Sequence, residues 1–132
     1  MSRKVLNPAS VFDAVAFGYS QGAVVAAARR VLVSGQAGVD TGVRTHSPGL
    51  QDQAEAALDN VERVLADAGC GLAQVVFLRL YVCDTVRDDL QGVVNVLRRR
   101  FPDNPPPASW VIVSGLAMPE WLVLIEAEAA LD

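Results

Sequence analysis

Glu126 is the residue whose type and surroundings point most directly to chemistry. It lies in a predicted strand among apolar residues, in the run Val123-Leu124-Ile125-Glu126-Ala127-Glu128-Ala129. A carboxylate there is costly unless it is paired or hydrogen-bonded, and apolar surroundings favour its protonated form, which suits proton transfer near neutral pH. Two interpretations remain open: a functional carboxylate, and an edge-strand or interface ion pair. Glu128 shares the same strand face and is interpreted as a solvated or interface carboxylate.

Two further side chains, Tyr19 and Arg79, are candidates for binding a ligand. Tyr19 lies in the run Phe17-Gly18-Tyr19-Ser20-Gln21-Gly22, where its ring either lines a cleft or fills a core or an interface. Arg79 lies in a predicted strand whose alternation places it on one face with Phe77 and Tyr81. Arg79 therefore either contacts a ligand or forms an interface ion pair.

The elements that must position these side chains follow from hydrophobic periodicity. The predicted elements are a hairpin of strands over 24–27 and 31–34, helices over 50–68 and 86–100, and strands over 74–83, 110–114 and 121–129. In the strand over 74–83, Val76, Leu78, Leu80 and Val82 form an aliphatic face that suits helix packing. This order predicts an α+β fold with a mixed sheet and both helices on one face. The other face is left uncovered, which predicts a symmetric oligomer.

Composition limits the classes of protein to which the chain can belong. Its 132 residues predict one domain over 1–132, and 52% hydrophobic with 20% charged residues is typical of a compact globular protein. The net charge of −4 and the pI of about 4.9 do not fit a nucleic-acid-binding protein, which needs a positive surface. The residues before Pro8 lack the apolar core of a secretory signal, and no apolar run is long enough to span a membrane.

Metal and cofactor motifs are missing from the sequence. The two cysteines, Cys70 and Cys83, are too few for a disulfide framework and fit a reduced, cytoplasmic setting. The single histidine, His46, does not suit a histidine-based triad or a histidine-rich metal site, and no phosphate-binding glycine loop or dinucleotide fingerprint is present. We therefore expect no metal and no cofactor.

Together with Val33-Ser34-Gly35-Gln36, the runs around Tyr19 and Glu126 resemble the Rid/YjgF family of reactive-intermediate (enamine/imine) deaminases. The resemblance extends from about Phe17 to Ala129. It implies a chorismate-mutase-like fold, a homotrimer, and clefts between subunits that hold a small metabolite. It also implies that Glu126 is the catalytic glutamate and that Phe17 and Tyr19 line the cleft. Gly35 either allows close backbone approach to the ligand or ends its strand in a turn.

The chain departs from the family where a Pro-Ala-Arg-Thr/Ser run is usual, because it reads Pro106-Pro107-Ala108-Ser109-Trp110. The arginine position falls on Ala108 or Ser109. A serine offers one neutral hydrogen bond, about 0.5–1.5 kcal/mol net, against about 1.5–3 kcal/mol for each hydrogen bond to a charged group. A 2-imino acid should therefore bind weakly unless another cation, such as Arg79, replaces the arginine. Trp110 would narrow the pocket or make it more apolar.

Three functions are compatible with this sequence. The first is hydrolysis of a reactive imine or enamine to a carbonyl compound and ammonia, on a non-canonical substrate or with weakened activity. The second is a non-catalytic trimer that binds a small metabolite or regulates a partner. The third, the ribonuclease activity sometimes attributed to the family, ranks last because the chain is acidic.

Overall fold

The structure is a computed structural model and describes residues 2–132. Its elements are β1 (Ser2–Leu6), β2 (Gly22–Ala26), β3 (Arg29–Gln36), α1 (Leu50–Asp67), β4 (Val75–Cys83), α2 (Gln91–Arg100), β5 (Ala108–Val113) and β6 (Val123–Leu131). Four strands form one sheet in the order β3-β6-β4-β5, and β1 pairs with β2 in a separate ribbon. The sheet is mixed, because β6 is antiparallel to both neighbours and β5 is parallel to β4. The predicted α+β fold is confirmed.

The hydrophobic core lies between the two helices and one face of this sheet. The helical residues buried there are Ala54, Ala57, Leu58, Val61 and Leu65 of α1 and Val93, Val96 and Leu97 of α2. The sheet contributes Leu78, Leu80, Val82, Val123 and Ile125 to the same cluster. Each fully buried aliphatic side chain stabilises the fold by about 1.5–3 kcal/mol relative to its exposed state. The strand–helix–strand unit β4-α2-β5 allows β5 to lie parallel to β4.

The helix over 50–68 is confirmed and ends one residue earlier, at Asp67, and Ala68 beyond it is exposed. The second helix begins at Gln91 instead of at residue 86. Asp84–Val86 forms a separate 3-10 turn, and Asp89 Oδ1 accepts a hydrogen bond from the Gln91 backbone N–H at 3.1 Å. A carboxylate that satisfies a free N–H at this point favours a helix start there.

The predicted hairpin between strands 24–27 and 31–34 is wrong. β2 pairs with β1, and β3 pairs with β6, nearly one hundred residues away along the chain (Val31 is opposite Ala129). Val33 of β3 is buried in the core, whereas Val24 and Val25 of β2 remain exposed. Pairing with β6 places Val33 of β3 in the core, beside the buried residues of β6 and α1.

The alternation predicted for β4 is confirmed over most of the strand. Leu78, Leu80 and Val82 are buried in the core, and Phe77, Arg79 and Tyr81 lie on the opposite side. The exception is the start of β4, where a bulge between residues 75 and 77 turns Val75 rather than Val76 into the core. We call the side away from the helices the open face. By register it carries Leu32, Phe77, Arg79, Tyr81, Ser109, Val111, Leu124, Glu126 and Glu128.

Candidate functional site

Glu126 lies at the centre of a hydrogen-bonded network on the open face. Its register partner on β4 is Arg79, whose Nη1 donates to Glu126 Oε1 at 3.1 Å. Tyr81, two residues along β4 on the same face, donates its hydroxyl to the same oxygen at 2.9 Å. No hydrogen bond within residues 2–132 reaches Oε2 of this carboxylate. The carboxylate is therefore oriented through one oxygen and leaves the other available to a ligand or a water.

Glu126 stabilises the protonated forms of both donors and so raises the pKa of each. The hydrogen bond from Tyr81 to Glu126 raises the pKa of that phenol above its ordinary value, with partial burial as a smaller cause. The hydrogen bond to Glu126 likewise raises the pKa of Arg79, whose guanidinium also lies 5.1 Å from the centre of the Phe77 ring. Glu126 has apolar neighbours along its own strand, whereas the cross-strand residue opposite it is the cation Arg79.

A narrow groove of about 160 Å³ lies beside this network. We call it the carboxylate groove, and its lining residues are Leu32, Val33, Phe77, Arg79, Glu126, Ala127 and Glu128. Glu128 is paired with Arg30 at 3.2 Å, which agrees with its interpretation as a surface or interface carboxylate. Two carboxylates and one guanidinium line the groove, and each carboxylate is paired with an arginine, Glu126 with Arg79 and Glu128 with Arg30.

Gly35 lies at the irregular part of β3 between Val33 and Gln36. Gln36 is paired with Ile125, the residue before Glu126 in β6. A Cβ added at Gly35 would lie 2.6 Å from Leu124 Cδ2, well inside van der Waals contact. Leu124 shares the open face with Glu126. The close approach that glycine permits here is therefore that of the Leu124 side chain, and a role of Gly35 in ligand binding stays a prediction.

A second concave site, which we call the aromatic pocket, lies at the β5 edge of the sheet. Its volume is about 490 Å³, and its lining residues are Phe12, Phe17, Tyr19, Ala108, Ser109 and Trp110. All six are uncharged, and four are aromatic. The rings of Tyr19 and Trp110 are 6.2 Å apart and tilted by 45°, a favourable arrangement for an aromatic pair. The volume is within the range of about 300–1,000 Å³ that is typical of small-molecule sites.

The backbone around Gly18 brings Phe17 and Tyr19 to this pocket. Gly18 has φ of 94°, and a Cβ added there would lie 2.7 Å from Cβ of Leu97 in α2. Only glycine allows both the left-handed turn and this close packing. The next residues are tied to the start of β5, since the Ser20 N–H donates to the Pro106 carbonyl at 3.1 Å.

The residues of β5 divide between the two faces of the sheet. Ala108 and Trp110 pack against the core, whereas Ser109 is exposed on the open face opposite Arg79. Trp110 is one of the aromatic residues that line the pocket, and its effect on ligand binding stays a prediction. Ser109 belongs to the aromatic pocket and is also the register neighbour of Arg79, so it lies between the two sites.

The predicted site residues therefore form two groups within one chain. Glu126 and Arg79 lie on central strands with Gly35 nearby, and the residues of the aromatic pocket lie at the sheet edge. Because β4 separates β5 from β6, Ser109 and Glu126 are about 10 Å apart across the sheet. Sequence reasoning missed Phe12, which lies in an irregular segment, and Tyr81, whose signal was its two-residue spacing from Arg79.

No three His, Cys, Asp or Glu side chains among residues 2–132 are grouped so that they could hold a metal ion. Neither helix of this part of the chain has the length and apolar character needed to cross a membrane. Cys70 and Cys83 are both free thiols.

Comparison with known proteins gives consistent matches along the chain. A family model described as endoribonuclease L-PSP matches residues 11–131. RutC family protein UK114 of Drosophila melanogaster is 35% identical over 128 residues, which is 96% of this chain and 88% of that protein. Among solved structures, the Rid protein YyfB of Yersinia pestis is 31% identical with a TM-score of 0.91, covering 99% of this chain and 100% of the other. Rv2704 of Mycobacterium tuberculosis, from the YjgF/YER057c/UK114 family, is 33% identical with a TM-score of 0.67, covering 98% and 100%.

Proposed function

The chain belongs to the Rid/YjgF family, and on that premise we propose that it hydrolyses a reactive imine or enamine to a carbonyl compound and ammonia. The observation that carries the proposal is the hydrogen bonding of the Glu126 carboxylate. Arg79 and Tyr81 hold its carboxylate through Oε1, and no hydrogen bond within the described residues occupies Oε2. A fixed carboxylate with one free oxygen can accept a proton from a water and deliver it to nitrogen.

The proposed reaction consumes one water for each imine. The water oxygen bonds to the imine carbon while Glu126 takes a proton from that water and passes it to the imine nitrogen, which gives a carbinolamine. Glu126 then moves the remaining hydroxyl proton to the same nitrogen. The C–N bond breaks, the carbonyl forms, and ammonia leaves with both protons of the water. An enamine first takes a proton at its β-carbon and becomes the imine.

A homotrimer would bring the two groups of site residues together. The open face carries Leu32 at 67% exposure and Val111 at 40%, and apolar surface of this kind is usually covered by another subunit. We propose that three copies of the chain, each acting as one domain over 1–132, pack through the open face. Glu126 of one subunit would then lie beside the aromatic pocket of a neighbouring subunit, at a cleft that holds the metabolite.

The endoribonuclease name of the matching family model suggests a different substrate, which we do not favour for this chain. Its net charge is −4, and its aromatic pocket is lined by uncharged side chains. RNA binding relies on cations that neutralise phosphates and on basic surfaces around stacking aromatics. The acidic composition instead fits a small-metabolite site in a cytoplasmic protein without nucleic-acid partners.

Turnover of freshly generated 2-aminoacrylate and of a panel of imines tests the proposal. Glu126→Ala should lower the rate by about 100-fold or more, because general acid–base groups contribute about 10²–10⁴-fold. Glu128→Ala is the matched control: its carboxylate is on the same strand and face but pairs with Arg30, so it should cost far less. Equal rates for wild type and Glu126→Ala, or no wild-type turnover on any imine, would favour the non-catalytic binding protein instead.

A further inference from the structure

Neither the aromatic pocket nor the carboxylate groove has an unpaired cation to offer an anionic ligand. The six side chains of the aromatic pocket are uncharged. In the carboxylate groove, Arg79 is already paired with Glu126, and Glu128 is paired with Arg30. A ligand carboxylate placed between these sites would lose its water without gaining an unpaired cation as its partner.

The aromatic pocket fits a different kind of ligand. Phe12 and Phe17 are 62% and 51% exposed, and together with the half-buried Tyr19 and Trp110 they line a cavity large enough for one aromatic ring with a short side chain. Such rings bind apolar groups by burial of surface and attract cations to their faces. An imine in its protonated form is a cation, so the same walls also attract that form of the substrate.

We propose that the aromatic pocket selects imines that carry an aryl or other bulky apolar group and no carboxylate, such as the imine of an arylalkyl aldehyde. This inference rests on the proposed function and names its substrate class. The absence of an arginine at Ala108 and Ser109 is then a determinant of specificity, because a guanidinium at either position would introduce a binding site for a carboxylate. Trp110 and Tyr19 provide the apolar contact in its place.

A matched pair of stable probes tests the selection without any need for turnover. Phenylacetamide and phenylacetate have the same shape and differ in charge, and isothermal titration calorimetry measures the affinity of each. We expect wild type to bind phenylacetamide at least about tenfold more tightly, since the acid must lose its hydration without a partner. Equal or tighter binding of phenylacetate, or no binding of either probe, overturns the proposal.

Variants connect that preference to the pocket. Trp110→Ala should weaken phenylacetamide binding, and Phe12→Ala does the same without touching the core, since Phe12 is 62% exposed. Val24→Ala, which removes an exposed side chain from β2, is the control and should leave the affinity unchanged. Ala108→Arg should reverse the preference in favour of phenylacetate. An unchanged preference in Ala108→Arg together with unchanged binding in Phe12→Ala would place the probe elsewhere and refute the proposal.

Turnover of a second matched pair separates this inference from the proposed function. The imine of phenylacetaldehyde and the imine of phenylpyruvate, generated by an amine oxidase and an amino-acid oxidase, differ only in the carboxylate. Faster hydrolysis of the first supports both proposals. Faster hydrolysis of the second keeps the proposed function and overturns the selection. Hydrolysis of neither, with phenylacetamide still preferred in the binding experiment, keeps the selection and refutes the function.

Discussion

The helix-covered side and the open face of the sheet are made by the same strands and differ in how far their side chains are buried. Leu78, Leu80 and Ile125 are at most 1% exposed beneath the helices. On the open face, Leu32 is 67% exposed, and the side chains of Arg79 and Glu126 keep 42% and 34% of their accessible surface. Within one chain, the helices cover the first side of the sheet. The open face carries the candidate catalytic and binding residues, and it keeps exposed polar and apolar groups with which it can bind a ligand or another copy of the chain.

The largest expected difference between the two sides is in stability. Leu80→Ala should lower the free energy of unfolding by about 2–5 kcal/mol, because it leaves a cavity in a packed core. Leu32→Ala, the matched change on the open face, should change the stability of the dissociated chain by no more than about 0.5 kcal/mol. Urea denaturation checks the first expectation. Analytical ultracentrifugation should show weaker self-association for Leu32→Ala. Equal losses of stability in both variants would contradict the difference in burial between the helix-covered side and the open face.

An intermediate effect is expected where the helical side supports the aromatic pocket. Gly18→Ala forces a side chain into positive φ and into contact with Leu97, which should cost about 1–3 kcal/mol. It should also weaken phenylacetamide binding by moving Phe17 and Tyr19. Gly115→Ala is the control, because nothing lies within 4 Å of the added Cβ. Thermal unfolding compares the two, and a Gly18→Ala variant as stable as Gly115→Ala would mean that the turn does not position the pocket.

The smallest expected effect is a raised pKa of Tyr81 on the open face. In a Tyr19→Phe background Tyr81 is the one tyrosine left, and its absorbance at 295 nm should change at a pH above the ordinary midpoint of about 10. Because folding raises this pKa, the stabilising contribution is complete below the unfolded-state pKa and is lost as the pH rises through the folded-state pKa. Glu126→Gln should lower the midpoint. A midpoint that does not respond to Glu126→Gln would contradict the network.

Local patterns in the sequence were sufficient to predict the elements with a clear hydrophobic periodicity. The helix α1 and the alternation of β4 from Phe77 onwards were predicted correctly, since each depends on neighbours close in the chain. The hairpin prediction failed because strand partners are chosen by distant core packing. The bulge at Val75 was missed for a related reason, as it depends on the register with β6.

The candidate site could be predicted in part. The resemblance supplied Tyr19, Glu126 and the residues around Ser109, and the structure places each in one of two concave sites. It could not supply the pairing of Glu126 with Arg79, which follows from the antiparallel register of β4 and β6. Phe12 lies in a segment without periodicity, and only the folded chain brings it to the aromatic pocket.

The position of β6 has a consequence for how the protein is made. This strand is the last in chain order, yet it lies between β3 and β4 and joins them into one sheet. Until its residues leave the ribosome, β3 has no partner in the sheet, and the edge of β4 that β6 will cover is open. Unpaired apolar strands are prone to aggregate, and contacts so distant in sequence form slowly. The nascent chain therefore depends on rapid completion of β6, and translational pausing shortly before it would be harmful.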